Sequence, residues 1–182
     1  MSLLDRQAQL QAEGRELLAT LRGPLGDLQA TGSFVSGLMA WRDLDVMLLG
    51  GPEFAPSEVL TLLAGTAGLP GLTGFDYRDE RGPRSPTGER RDERFHVAMT
   101  VYAWRVDLSI WLHDPHDQVT AWHRELAARV TPQQRLTILE IKDVWHRRPE
   151  YPDEVSGLEI YTAVLEHGVR TPADFGAWLA RR

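Results

Sequence analysis

The stretch that decides the fold runs from Thr31 to Leu49 and reads TGSFVSGLMAWRDLDVMLL. It opens with a glycine-serine pair and, nine residues later, places two aspartates one residue apart inside an apolar run. A short apolar segment such as LDVMLL is typical of a largely buried strand. Because ionised carboxylates are costly to bury unless they are paired or bind a metal, the pattern predicts that Asp43 and Asp45 have a chemical partner.

The two aspartates are predicted to share one face of their strand. Side chains at i and i+2 of a strand point to the same side, about 6.6 Å apart along it, so Leu44 and Val46 are expected in the core behind them. A later apolar strand carries Asp107 in the same alternating position. If the two strands are neighbours, three carboxylates converge, and oxygen ligands of this kind suit Mg²⁺ or Mn²⁺.

Gly32 and Ser33 supply the complementary part of a phosphate site. A glycine after a strand lets the backbone approach a phosphate, a serine hydroxyl can donate to it, and a following helix N-terminus favours an anion. Two metal ions held by carboxylates can activate an attacking oxygen and steady a leaving one. The combination indicates phosphoryl or nucleotidyl transfer from a nucleoside triphosphate.

In this order and spacing, Gly32-Ser33, the Asp43-Leu44-Asp45 triplet and the later Asp107 resemble the nucleotidyltransferase superfamily of the DNA polymerase beta type. The compact chain looks most like the small bacterial members, namely aminoglycoside, lincosamide and minimal nucleotidyltransferases. The resemblance implies an enzyme that moves a nucleoside monophosphate from a nucleoside triphosphate to an acceptor hydroxyl and releases pyrophosphate.

The resemblance also implies roles for individual residues. Gly32 and Ser33 would bind the triphosphate, Asp43 and Asp45 would hold both metal ions, and Asp107 would complete the second metal site and act on the acceptor hydroxyl. Related enzymes often contact the triphosphate with a lysine or arginine from the C-terminal helices. In this chain, Lys142 is the only lysine. We therefore assign Lys142 to nucleotide binding and keep a solvated helix face as its alternative.

Several alternatives stay open at this point. Many small members carry an arginine three residues after the serine, where this chain has Ser36. A non-catalytic nucleotide-binding or protein-interaction domain on the same fold, including an antitoxin-like one, is therefore the second hypothesis. On a purely structural interpretation, Asp43 only begins a strand and Asp107 only forms an ion pair with Arg42 or Arg105.

Along the chain the pattern predicts an α/β (α+β) fold, a mixed sheet flanked by helices, followed by a helical C-terminal region. We divide it into a sheet region at 1–115 and a helical region at 116–182. Helices are expected from Ser2, from a Ser57 cap, and at 117–130, 132–147, 156–167 and 171–182; strands are expected at 28–31, 43–49, 95–103 and 105–112. The charged segment 75–94 is predicted to be a mobile loop.

The composition of the chain argues against several classes of ligand and metal site. The 182 residues carry a net charge of -6, which argues against long nucleic acid as a ligand. There are no cysteines, so thiolate metal sites and a cysteine nucleophile are excluded. No signal-like N-terminus or long apolar run occurs, so no membrane association and a cytoplasmic location are expected. The sequence specifies neither the acceptor nor the oligomeric state.

Overall fold

A computed structural model describes residues 1–113, 116–152 and 154–182; the side chains of 116–119 also lie outside the description. The helices are α1 (Leu3–Leu25), α2 (Gly32–Ser36), α3 (Pro56–Gly65), α4 (His116–Arg129), α5 (Pro132–Trp145), α6 (Gly157–His167) and α7 (Pro172–Leu179). The strands are β1 (Gln29–Ala30), β2 (Asp43–Leu49), β3 (Leu72–Glu80), β4 (Arg94–Val101) and β5 (Trp104–Trp111).

The five strands form one mixed sheet in the order β1-β2-β5-β4-β3. Among the described strands, β2 and β5 run parallel, and the other neighbouring pairs are antiparallel. The two antiparallel strands β4 and β5 are joined at Tyr102, whose φ of 52° lies in the left-handed region. The predicted fold class is confirmed, and the central parallel pair places the strand of Asp107 directly beside that of Asp43 and Asp45.

Two hydrophobic clusters organise the molecule. One fills the space between a single face of the sheet and α1 and α3, and it contains the predicted core residues Leu44 and Val46. The other lies among the C-terminal helices and includes Leu38 from the segment after α2. The opposite face of the sheet is therefore left for polar side chains. Residue 115, where we placed the end of the sheet region, lies outside the described residues.

The helix ends follow local chemistry that is visible in the sequence. Ser2 caps α1, where its hydroxyl accepts from the backbone N–H of Asp5 while the Asp5 carboxylate accepts from that of Ser2. Thr171 caps α7, where its hydroxyl accepts from the backbone N–H of Asp174, and Pro172 lies at the first helical position. Such caps satisfy amide groups that have no partner inside the helix.

The prediction of a mobile loop at 75–94 is wrong. Most of its first half belongs to β3, which pairs with β4 over its length, and two short 3₁₀ turns at Gly82–Arg84 and Arg90–Asp92 follow. β3 is an edge strand with largely exposed side chains. Its sequence therefore carries charges in place of the apolar alternation from which strands are predicted.

One predicted cap also needs correction. The cap of α3 is Ala55, whose backbone N–H donates to Glu58, and Ser57 lies inside the helix. Helical spacing by itself also predicts core positions for Val144 and Leu158, but these side chains are 40% and 55% exposed.

Within the described residues, no helix combines the length and the apolar composition that crossing a membrane requires.

Candidate active site

The three predicted acids lie on one face of the sheet. Asp45 is directly opposite Asp107 in the parallel pairing of β2 with β5, and Asp43 is opposite Arg105. The intervening side chains Leu44 and Val106 are fully buried on the other face. The alternation that was read from the sequence therefore places all three carboxylates above the same patch of sheet.

A cleft of about 840 Å³ opens above this face. Its floor is the sheet, and its opposite wall comes from α4, α5 and α6. All six residues that the sequence singled out line it: Gly32, Ser33, Asp43, Asp45, Asp107 and Lys142. Elements that are up to 110 positions apart (32 to 142) thus contribute to one site.

Burial and mutual repulsion raise the pKa values of the two acids on β2. The pKa of Asp43 lies well above its usual value because the carboxyl is removed from water and faces Asp45 and Asp107. The pKa of Asp45 is raised by burial and by the charge of Asp107. Lys142 and Arg105 oppose both shifts. In the described part of the chain, Oδ1 of Asp43 is buried without a hydrogen-bond partner.

Gly32 and Ser33 begin α2 directly beside Asp45. The carboxylate of Asp45 accepts a hydrogen bond from the backbone N–H of Ser33. Gly32 has a φ of +60°, and a Cβ there would lie 1.9 Å from Oδ2 of Asp45. Any side chain at position 32 would therefore displace Asp45, so glycine is required for this close approach.

Asp107 differs from the other two acids because Arg105 and His96 contact its carboxylate. Arg105 donates to both of its oxygens, at 2.6 and 3.1 Å, and Nε2 of His96 lies 3.1 Å from Oδ1. Burial acts to raise the pKa of Asp107, but the hydrogen bonds from His96 and Arg105 outweigh it and lower that pKa. The ion pair with Arg105 that we kept as a structural interpretation is therefore present, and no such pair involves Arg42, which binds Glu13.

Lys142 does not lie on a solvated helix face. It is 2% exposed, and its Nζ donates to the backbone oxygen of Leu38 at 2.9 Å and to the hydroxyl of Tyr161 at 3.3 Å. Its charge acts on Asp43 and Asp45 across the cleft. The alternative of a solvated surface lysine is wrong, because α5 packs inside the C-terminal helices.

Ser36 is fully buried, and its hydroxyl donates to the backbone oxygen of Gly32 at 3.2 Å. It is also hydrogen-bonded to Tyr161, the same hydroxyl that Lys142 reaches. Burial raises the pKa of Tyr161, so this hydroxyl stays protonated. Many small nucleotidyltransferases carry an arginine at this position. Here the buried Ser36 fills it, and the nearby cation is Lys142 on α5.

Sequence reasoning missed two groups of cleft residues. On the sheet, His96 contacts Asp107 from β4, and only the pairing of β4 with β5 shows that it reaches this acid. On the helical wall, Trp122 lies edge-on to His123, and burial together with the charge of Lys142 lowers the pKa of His123 to about 4. Nothing in the local sequence distinguishes these residues from ordinary core or surface positions.

The arginines along the sheet side of the cleft are individually paired with acids. Arg78 binds Asp76 at 3.0 Å, and Arg94 binds Glu80 at 2.6 Å. Across the described residues, no group of three or more His, Cys, Asp or Glu side chains is arranged to hold a metal ion as it stands. Asp107 is turned to Arg105 and His96, so it does not form a closed set with the acids of β2.

No family model matches the chain, and no curated protein matches it. Solved structures do match it in fold. The poly(U) polymerase Cid1 bound to MgATP is 16% identical with a TM-score of 0.59, over 88% of this chain and 51% of that chain. A cytoplasmic RNA terminal U-transferase is 18% identical with a TM-score of 0.57, over 86% and 47%.

The non-canonical poly(A) polymerase complex GLD-2–GLD-3 provides a third match, 11% identical with a TM-score of 0.55, over 94% of this chain and 61% of that one. The chain thus spans about half the length of the solved structures it resembles. Its mixed sheet with flanking helices is the nucleotidyltransferase fold of these structures.

Proposed function

We propose that the protein is a metal-dependent nucleotidyltransferase that transfers a nucleoside monophosphate from a nucleoside triphosphate to an acceptor hydroxyl. The observation that carries the proposal is the convergence of Asp43, Asp45 and Asp107 on one sheet face, in a cleft that also contains Gly32 and Ser33. In this view the region 1–115 supplies the acids and the phosphate-binding residues. The region 116–182 closes the cleft from above.

The chemistry of the acid pair fits Mg²⁺ or Mn²⁺. Two buried carboxylates with raised pKa values, one of them with an oxygen that has no partner in the described residues, are stabilised by a cation. Asp43 and Asp45 would hold both ions, and Asp107 would join one of them. Bound there, the ions would neutralise phosphate charge and lower the pKa of the acceptor hydroxyl.

The residues of the chain have separate tasks in this reaction. Gly32 and Ser33 hold the phosphates, and Lys142 provides fixed positive charge on the opposite wall. Asp107, whose pKa is lowered by the hydrogen bonds from His96 and Arg105, accepts a hydrogen bond from the acceptor hydroxyl. That oxygen forms a bond to the α-phosphorus, the bond from the α-phosphorus to the bridging oxygen breaks, and pyrophosphate and the hydroxyl proton leave.

The paired charges of the cleft favour a small molecule or a protein side chain as acceptor. The similar structures include a poly(U) polymerase and an RNA terminal U-transferase. In this chain, however, Arg78, Arg94 and Arg105 are each bound to a carboxylate on the same sheet face. The net charge of -6 also argues against a nucleic-acid acceptor, since binding to a nucleic-acid backbone requires an excess of positive charge. We therefore retain the subtype of small bacterial drug- or protein-modifying enzymes.

The test is pyrophosphate release with Mg²⁺ and each nucleoside triphosphate in turn, across pools of small hydroxylated molecules, proteins and short RNA. We expect release with at least one small-molecule or protein pool and its loss in Asp45→Asn. A matched control is Asp27→Asn, an exposed acid outside the cleft, which should retain wild-type release. Equal release by Asp45→Asn and the wild type would refute the proposal.

Two observations support a second candidate, a nucleotide-binding domain without catalysis. The carboxylate of Asp107 already has partners, and the buried Ser36 fills the position where many small nucleotidyltransferases have an arginine. In that case ATP and Mg²⁺ together raise the melting temperature, and the rise depends on Asp45, but no acceptor pool gives pyrophosphate. Release above the Asp45→Asn background excludes this candidate.

A further inference from the structure

The two edges of the sheet are protected very differently. At one edge, β1 contains two residues. At the other, β3 contains nine residues, and in the described part of the chain its only neighbour is β4. A long edge strand presents a row of unpaired backbone donors and acceptors, which is a template for another strand. β3 contains no proline, and its one irregularity lies near its start, between Leu72 and Gly74.

The exposed side chains of β3 alternate in charge. Asp76 and Arg78 lie two residues apart on the cleft face of the sheet, and both side chains are more than 60% exposed. They bind each other at 3.0 Å within the chain. On the other face, Phe75 is half exposed beside the partly buried Tyr77. The strand therefore offers opposite charges on one face and aromatic surface on the other.

We propose that two copies of the protein associate through β3, paired antiparallel about Tyr77. In a symmetric antiparallel pair, only residues on the same face oppose each other, so the two-fold axis passes through a single residue position. Centred on Tyr77, each Asp76 opposes the partner's Arg78. Opposite charges at directly facing positions stabilise a strand pair, and like charges there destabilise it.

The neighbouring registers lack this complementarity. An axis at Asp76 would set the two Asp76 carboxylates against each other. An axis at Arg78 would set the two guanidinium groups together and would bring each Asp76 opposite Glu80. Charge therefore favours the Tyr77 register over the registers centred on Asp76 and Arg78, and this self-complementarity favours a second copy over an unrelated strand as the occupant of this edge.

The arrangement has a consequence for the cleft. The axis is perpendicular to the sheet, so both clefts open on the same face of one continuous sheet. Arg78 lines the cleft, and in the dimer it lies at the boundary between the two copies. The interface thus adjoins the site without supplying any of its acids.

A cysteine scan tests the register directly, because the natural chain contains no cysteine. Directly facing residues of an antiparallel pair approach within disulfide range. Under mild oxidation Tyr77→Cys should form a disulfide-linked dimer in high yield, and Phe75→Cys should not, since its two copies are offset along the strand. Equal yields at both positions, or a yield only at position 75, would overturn the register.

Sedimentation measurements over a range of protein concentrations test the charge argument. We expect Asp76→Arg and Arg78→Asp each to weaken the dimer by about tenfold or more, and the double variant Asp76→Arg/Arg78→Asp to restore it. Glu89→Arg, which breaks an exposed ion pair outside β3, is the control and should leave the dissociation constant unchanged. A wild type that stays monomeric, or single variants that dimerise as the wild type does, would disprove the proposal.

Discussion

The acids on β2 and the acid on β5 share one face of the sheet, but their surroundings shift their pKa values in opposite directions. Asp43 and Asp45 are buried beside other carboxylates, and their pKa values rise. Asp107 is held by Arg105 and His96, and its pKa falls. Position on a strand thus brings the acids together, whereas the charged and polar side chains around each acid set the direction of its pKa shift.

The largest expected effect is on catalysis by the β2 pair. Asp43→Asn and Asp45→Asn should each lower the rate of pyrophosphate release by roughly 10³-fold, about 4 kcal/mol, because each removes a ligand for the metal ions. The same variants should unfold at no lower denaturant concentration than the wild type in the absence of metal, since they remove repulsion. A loss of activity that accompanies a loss of stability would mean that the pair has a structural role.

Replacement of Lys142, whose charge acts on Asp43 and Asp45, should have the next largest effect. Lys142→Met preserves the length of the side chain but leaves the buried oxygen of Leu38 without its donor, so we expect a loss of about 2 kcal/mol in the free energy of unfolding. Chemical denaturation measures it. Lys142→Arg keeps the charge and is the control for electrostatics. An unchanged free energy of unfolding in Lys142→Met would contradict a stabilising role for the hydrogen bond to Leu38.

Asp107 should respond in the opposite sense to Asp43. Asp107→Asn removes charge-assisted hydrogen bonds with Arg105 and His96, and we expect a loss of about 1 kcal/mol of stability in metal-free protein. Asp43→Asn should stabilise it or leave it unchanged under the same conditions. If both substitutions lower the unfolding midpoint, the claim that Asp43 and Asp107 have opposite effects on stability is wrong.

The smallest expected effect is on pH dependence. The raised pKa of Asp43 contributes stability that is present below the pKa of the unfolded chain, about 4, and is lost as the pH rises through the folded value. Metal-free wild type should therefore lose stability relative to Asp43→Asn as the pH is raised from 4. Differential scanning fluorimetry of the two proteins measures this. Saturating Mg²⁺ should reduce the difference, because binding to the ionised acids stabilises the fold.

Elements with a regular pattern could be predicted closely. The strand at Asp43–Leu49 has the predicted bounds, and the caps Ser2 and Thr171 are where the sequence placed them. Local chemistry determines these features, so a short window of sequence contains the information. β3 was missed because an edge strand with exposed side chains has no apolar periodicity to detect.

The residues of the candidate site also fall into a predictable and an unpredictable group. Gly32, Ser33 and the acids could be proposed from the sequence, because each lies in a short, recognisable pattern. Of the two partners of Asp107, Arg105 was named from the sequence because it lies two residues away on the same strand. His96 could not be predicted, since it reaches Asp107 from β4 across the sheet. Lys142 was singled out by its rarity, and only the packing of α5 shows that it is buried and hydrogen-bonded to Tyr161.

The amino-acid sequence by itself determined which side chains face the polar side of each strand, because a period of two follows from backbone geometry. It also indicated a short helix or a turn at 33–40, directly after a strand. The direction in which the pKa of each acid shifts depends on the tertiary structure, because a pKa depends on burial and on charges that arrive from distant segments. The carboxylates came from local pattern, and their electrostatic state came from the fold.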